Sequence, residues 1–180
     1  MAAAGNDGQS GPTGQPPSPP SSPTLQPAAG QPTLGVVAQY VKDLSFENPG
    51  APGTLAPRQK APEIKIAINV TPRQAGDGQY EVELKIDARA TDGDTVIFAI
   101  ELIYAGMFRL ANIPQQDIAP LTLIECPRLL FPFARQIVSD AARNGGFPQL
   151  LIDPVDFVGL YRQRMAADQQ QRARPAPGTN

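Results

Sequence analysis

The sequence predicts an α+β fold: a four-stranded antiparallel sheet with a long crossover loop, packed with a long central helix and a C-terminal helix. Three observations carry this. Apolar and polar residues alternate over four separate stretches between Val36 and Tyr104, the period-two signature of strands. The last three stretches are joined by short turns at Gly76-Asp77-Gly78 and Asp92-Gly93-Asp94, so they form an antiparallel meander. Beyond them the period becomes helical. From Pro127 the apolar positions are Leu129, Leu130, Phe133, Ala134, Ile137, Val138, Ala141 and Ala142, one broad stripe along a helix. Strands followed by helices is the order of an α+β layer arrangement.

Residues 1–35 are rich in Pro, Gly, Ser, Gln and Ala, with Asp7 as the only charged side chain. Such a stretch buries too little apolar surface to offset its ordering entropy and is predicted to be a disordered tail. The first strand runs from Val36 to Glu47. Strict alternation places Tyr40, Leu44 and Phe46 on one face and Val41, Asp43, Ser45 and Glu47 on the other. Asp43 and Glu47 then lie roughly 13 Å apart. That exceeds the spacing of paired glycosidase carboxylates, about 5–9.5 Å, so they read as an acidic surface stripe.

Residues 48–62 are proline-broken, an unusually long excursion that crosses over the sheet and frames a groove. In the second strand, Glu63 to Thr71, Ile64, Ile66, Ile68 and Val70 share a face. In the third, Gln79 to Thr91, the inner residues are Tyr80, Val82, Leu84, Ile86, Ala88 and Ala90. In the fourth, Thr95 to Tyr104, they are Val96, Phe98, Ile100, Leu102 and Tyr104, with Ile97, Ala99, Glu101 and Ile103 outside. That outer face mixes apolar and acidic residues, which marks either a partner surface or a face covered elsewhere in the fold.

Pro127 suits a first helical turn. Pro132 removes an internal hydrogen bond, so a kink near Phe131 or a late helix start is expected. Asn144-Gly145-Gly146 ends the helix. The stripe is wide for one domain's core, so part of it faces another subunit or, alternatively, all of it packs on its own sheet. Asp153 and Pro154 read as N-cap and first residue of a final helix carrying Phe157, Leu160, Tyr161 and Met165. The folded domain therefore spans residues 36–166, with a flexible tail over 167–180. Apolar inner faces left uncovered by the last helix or the crossover would suit extended, apolar polypeptide.

Composition narrows the function. A net charge of −2 gives no bulk basicity for nucleic acid. The chain has no histidine and one cysteine, Cys126. These counts exclude Ser-His-Asp and Cys-His catalysis, an intrachain disulfide and a CxxC zinc site. No apolar run reaches the roughly 20 residues of a membrane span, so no membrane insertion is expected. No signal-peptide pattern opens the sequence, and a cytoplasmic location is the simplest expectation. No cofactor and no enzymatic activity are expected.

Several segments resemble the SecB family of bacterial protein-export chaperones. They are KDLSFENPGAP (Lys42 to Pro52), the meander, CPRLLFPFAR (Cys126 to Arg135) and GGFPQLLIDPVDF (Gly145 to Phe157), in the family's order over about Val36 to Met165. The resemblance implies an ATP-independent holdase that keeps unfolded preproteins translocation-competent and passes them to the SecA motor. It implies a homotetramer, a dimer of dimers with long helices sandwiched between two sheet layers, which places Leu129, Leu130, Phe133 and Ile137 at an oligomer interface. It maps SecA binding to Asp43, Glu47 and Glu101, three residues already read as outward-facing. Ala99 departs from a bulkier apolar position of the family, which weakens that flank. The zinc in that contact belongs to the partner. The positions that fit the family's client groove are Ile64, Ile66 and Ile68; Phe98, Ile100, Leu102 and Tyr104; and Phe157, Leu160 and Tyr161. Each of these serves equally well as ordinary core. Two rival readings stand beside this one: a chaperone of the same fold serving a toxin–antitoxin system, and a small-molecule-binding α+β domain.

Overall fold

A computed structural model describes the backbone of residues 30–173 and the side chains of residues 30–170. Of the tails expected over residues 1–35 and 167–180, residues 1–29 and 174–180 lie outside the described residues, while the first strand already begins at Thr33 and the last helix runs on to Ala173. The strands are β1 (Thr33–Glu47), β2 (Glu63–Gly76), β3 (Gln79–Asp92) and β4 (Thr95–Ala111). The helices are α1 (Gln115–Pro120), α2 (Cys126–Asn144) and α3 (Phe157–Ala173), with a widened π turn over Leu121–Glu125. The four strands form one antiparallel sheet in the order β1-β4-β3-β2. The meander and the crossover are as expected. β1 and β2 occupy opposite edges, so residues 48–62 carry the chain across the full width of the sheet. A single 3₁₀ turn, Gly53–Leu55, forms within that crossover. Thr54, buried there, donates to Asn48 Oδ1 at 2.6 Å, and Arg58 ties the loop to Asp92 at 3.1 Å.

The strands are longer than the sequence predicts. β4 continues seven residues past Tyr104, because Phe108 and Leu110 prolong the inward alternation through the weak strand formers Ala105 and Gly106. Two bulges also change which face several residues occupy. In β1 the register passes from Val41↔Tyr104 to Asp43↔Ile103, leaving Lys42 unpaired. Tyr40 therefore points away from the helices and Val41 toward them, the reverse of the strict alternation. In β4 the register passes from Thr91↔Val96 to Ala90↔Phe98, leaving Ile97 unpaired. Ile97 turns into the core at 1% exposure, and Val96 shares the outer face with Thr91. An extra residue in one strand shifts the phase of every side chain on one side of it.

The helical run starts twelve residues earlier than expected, at Gln115 rather than Pro127. Pro120 and Pro127 each lack the N–H an α-helix needs. The π turn lies between them and widens the coil locally. Within it Thr122 Oγ1 donates to the carbonyls of Ile118 at 2.9 Å and Ala119 at 3.3 Å. Pro132 does not break α2. It lies on the exposed side of the helix with Arg128, where water can meet a carbonyl left without its N–H partner. α2 ends as the glycines predict: Phe147 N–H donates to Ala142 O and Gly146 N–H to Arg143 O, with Gly146 at φ +88°, a Schellman cap. α3 is capped by Asp156, whose carboxylate accepts from Gly159 N–H at 3.0 Å, and not by Asp153. The stretch from Gln149 to Asp156 stays irregular, so Pro154 lies outside the helix.

α2 covers the middle of one sheet face. Leu130, Phe131, Ala134, Val138 and Ala142 pack against Leu84, Ile86, Ile100, Leu102 and Phe108 in a single core. Gly106 permits the close approach: a Cβ there would stand 2.8 Å from Leu130 Cδ2 and 2.7 Å from the Phe108 ring. The end of α2 is seated by Phe46, Phe98 and Phe147, whose ring centroids lie 4.8–6.3 Å apart. Among the described residues no helix covers the opposite face of the sheet.

Candidate functional site

The uncovered face carries the three acids singled out in the sequence, and register brings them together. Ser45 lies opposite Glu101, so Glu101 sits between the rows of Asp43 (opposite Ile103) and Glu47 (opposite Ala99). All three are exposed. Asp87, opposite Glu101 on its other side, joins them. Its outward direction was legible in the alternation of β3, but its proximity to Glu101 depends on strand order. Lys85 reaches Asp87 at 3.1 Å and Glu101 at 3.5 Å, and these contacts raise its ammonium pKa, Asp87 contributing most. Among the described residues neither Asp43 nor Glu47 has an ion-pair partner. Ala99 leaves a depression of about 260 Å³ beside these acids, with Asp87, Arg89 and Lys65 on its rim.

Further along the same face the acids are compensated. The bulge at Lys42 sends its ammonium over β4 to Glu81 at 2.9 Å and Glu83 at 2.6 Å. Tyr40, turned outward by the same bulge, donates to Glu81 at 2.5 Å. The small Ala105, paired with Tyr40 on one side and Glu83 on the other, leaves room for this span. Hydrogen bonds from Tyr40 and Lys42 hold the Glu81 carboxyl below its ordinary value, and Glu83 and Glu81 raise the Lys42 ammonium. The face thus divides into a neutralised half and a half with net negative charge.

The ten groove candidates separate into two groups. Phe98, Ile100, Leu102, Tyr104 and Phe157 are buried in the core of this chain and present no groove surface. They point inward, as the apolar spacing predicts, and α2 and the segment after it cover them. Ile64 and Ile66 are 44% and 39% exposed on the edge strand, beyond the reach of α2. Ile68, Leu160 and Tyr161 line a cleft of about 360 Å³ between β2 and α3, with Leu123 and the stem of Arg164. Arg164 fastens α3 to that edge by donating to Val70 O at 2.9 Å. The result is an apolar strip along the free edge of β2 that continues under α3.

The interface candidates divide likewise. Leu130 is fully buried against the sheet and cannot face another subunit. Leu129 and Phe133 are 42% and 53% exposed, and Ile137 is half-buried beside them. Phe133 stacks on Tyr104, ring centroids 6.5 Å apart, next to the exposed Val41 and Leu44 of β1. Cys126 is enclosed, and burial pushes its thiol up to about 12, which keeps it neutral and unreactive. No helix among the described residues is long and apolar enough to cross a membrane.

The family model described as preprotein translocase subunit SecB matches residues 27–168. The protein-export protein SecB of Rhodopseudomonas palustris (strain TIE-1) is 57% identical over 145 residues, 81% of this chain and 92% of the relative. That of Afipia carboxidovorans is 57% identical over 150 residues, 82% of this chain and 93% of the relative. Among solved structures, a SecB-like chaperone of Mycobacterium tuberculosis in complex with an antitoxin peptide superposes with a TM-score of 0.53. It is 12% identical, and the match covers 68% of this chain and 90% of that one. At that identity the likeness shows the fold alone.

Proposed function

This chain belongs to the SecB family of protein-export chaperones, and from that premise we propose how its two sheet faces divide the work. The helix-side strip of Ile64, Ile66, Ile68, Leu160 and Tyr161 receives unfolded preproteins. The acidic half of the open face, Asp43, Glu47, Glu101 and Asp87, receives the SecA motor. The carrying observation is that these two surfaces lie on opposite sides of one sheet, so a client and a motor can be held at once.

The client surface works by burial. Unfolded chains expose apolar segments, and covering them is favourable by roughly 25 cal/mol per Å². The outer edge of β2 is unpaired in this sheet. It offers backbone donors and acceptors to an extended segment, a mode that needs little side-chain specificity. A folded protein hides both its apolar segments and its backbone groups, so selection is for the unfolded state. No nucleotide enters this scheme. Leu129, Phe133 and Ile137 join copies into a tetramer, a dimer of dimers. One long client then meets several weak sites at once and gains avidity. The acid surface works by charge. Among the described residues Asp43 and Glu47 have no ion-pair partner to give up when a basic surface arrives, and their attraction steers the encounter and falls with salt.

Charge reversal at Asp43 and Glu47 together tests the division. The expected outcome, by titration of SecA and of an unfolded preprotein in parallel, is a loss of SecA affinity of about tenfold or more with client affinity unchanged. Ile64→Ser with Ile66→Ser should do the opposite. Equal losses of both activities from either variant would reject separate surfaces.

A further inference from the structure

An apolar concavity lies away from both surfaces, where β1 begins. It has a volume of about 550 Å³ and an apolar wall of Leu34, Ile113, Pro114, Pro120, Leu121 and Ile124. Its volume is that of a small-ligand pocket. Its only charged lining residues, Asp117 and Glu125, are both acidic, so it disfavours another acidic segment. Pro32 and Thr33 form part of its wall, so the chain enters the described structure at the pocket's own rim. The entry is tied down: Asn112, at φ +58°, donates from Nδ2 to Gln31 O at 3.1 Å. Gly30, at φ +94°, turns the chain just before that anchor, a conformation that favours glycine.

We propose that this pocket is occupied by the chain's own N-terminal segment, residues 22–29, with Leu25 as the seated side chain. Between residues 2 and 29 Leu25 is the sole large apolar side chain, flanked by Pro23 and Pro27. It stands five residues before Gly30, a reach of at most about 17 Å. A tether this short holds Leu25 at an effective concentration in the millimolar range, so a contact with a free-peptide Kd of about 1 mM still fills the pocket about half of the time. Proline on both sides limits the conformational freedom lost on docking. The segment carries no charged side chain to oppose Asp117 and Glu125. Docking of Leu25 would cover this apolar wall with the chain's own residues.

The test places a photo-crosslinking benzoylphenylalanine at Ile113, on the pocket wall, in the full-length protein. Crosslinked peptides are mapped in a mixture of isotopically light and heavy chains. The expected product joins position 113 to residues 22–29 of the same chain, and Leu25→Asp, a change in the tail that leaves the folded part intact, should reduce its yield at least fivefold. Binding of a fluorescent apolar dye should rise at least twofold in the Leu25→Asp protein and equally on deletion of residues 1–26. Crosslinks to another copy, to residues 171–180 of the same chain, or to no peptide would each overturn the proposal, as would dye binding indifferent to Leu25.

Discussion

The two faces of the sheet are made from the same strands, residue by residue in alternation, and they tolerate change very differently. On the helix side Leu84, Ile86, Ile100, Leu102 and Phe108 are enclosed by α2 and share one close-packed core. On the open side Asp43, Glu47 and Glu101 are exposed to water, and of the three only Glu101 has an ion-pair partner among the described residues, Lys85 at 3.5 Å. A residue on the first face is constrained by many neighbours, so its substitution is read as stability. An exposed acid on the second, such as Asp43 or Glu47, has few neighbours, so its substitution is read as binding. The same contrast recurs on α2 within one step of chain: Leu130 is buried against β4, and Leu129 looks outward.

The largest expected effect breaks the buried side of that pair. Leu130→Ala should destabilise the chain by about 3 kcal/mol, as buried leucine truncations do, measured by urea unfolding. Leu129→Ala should change monomer stability by less than about 0.5 kcal/mol while lowering the assembled mass in light scattering, alone or with Phe133→Ala. If Leu129→Ala cost as much as Leu130→Ala, the outward face of α2 would be core after all. Next in size is Gly106→Ala. The new Cβ would press on the Phe108 ring and Leu130, both enclosed, and overpacking of this kind costs about 1–3 kcal/mol. The helix and sheet would separate slightly at that point, and the exposed acids on the face behind them should keep their geometry in any fraction that remains folded.

The smallest effect sharpens the comparison on the open face itself. Glu81 has its carboxyl pKa lowered from 4.5 by Tyr40 and Lys42. A depressed carboxyl stabilises the fold above its unfolded pKa and loses that contribution as pH falls through the folded value, so the loss lies below about pH 4.5. Lys42 is raised from 10.5, and its contribution is lost as pH rises above that. Lys42 is exposed and Glu81 is half-buried at the surface, where water still screens the pair, so the contribution is small. Thermal melts between pH 3 and 7 should show Glu81→Gln flattening the acid limb slightly.

Much of this organisation was legible in the residues. The alternation of Ile64 to Val70 and of Tyr80 to Ala90 set the inner faces of β2 and β3, and Asp43, Glu47 and Glu101 were placed outward without any fold in hand. The errors cluster where one residue shifts the phase. Tyr40 and Val41 exchanged faces because Lys42 is a bulge, and Val96 and Ile97 did so because Ile97 is one. A bulge has no composition of its own, since it exists only relative to the strand beside it. Pro120 and Pro127 likewise concealed a helix from Gln115, because a π turn can absorb what an α turn cannot.

By itself the sequence determined the class of every strand, the helical stripe of α2, the glycine cap that ends it, and a family resemblance specific enough to name an export chaperone. These are local properties, written in the spacing of apolar side chains and in the conformations open to glycine and proline. Only the tertiary structure decided which inward residues are surface and which are core. Ile66 and Ile100 have the same chemistry and the same inward direction, yet one lies on an edge beyond α2 and the other lies beneath it. Coverage depends on strand order and on where a helix comes to rest, and both are set by contacts between residues far apart in the chain.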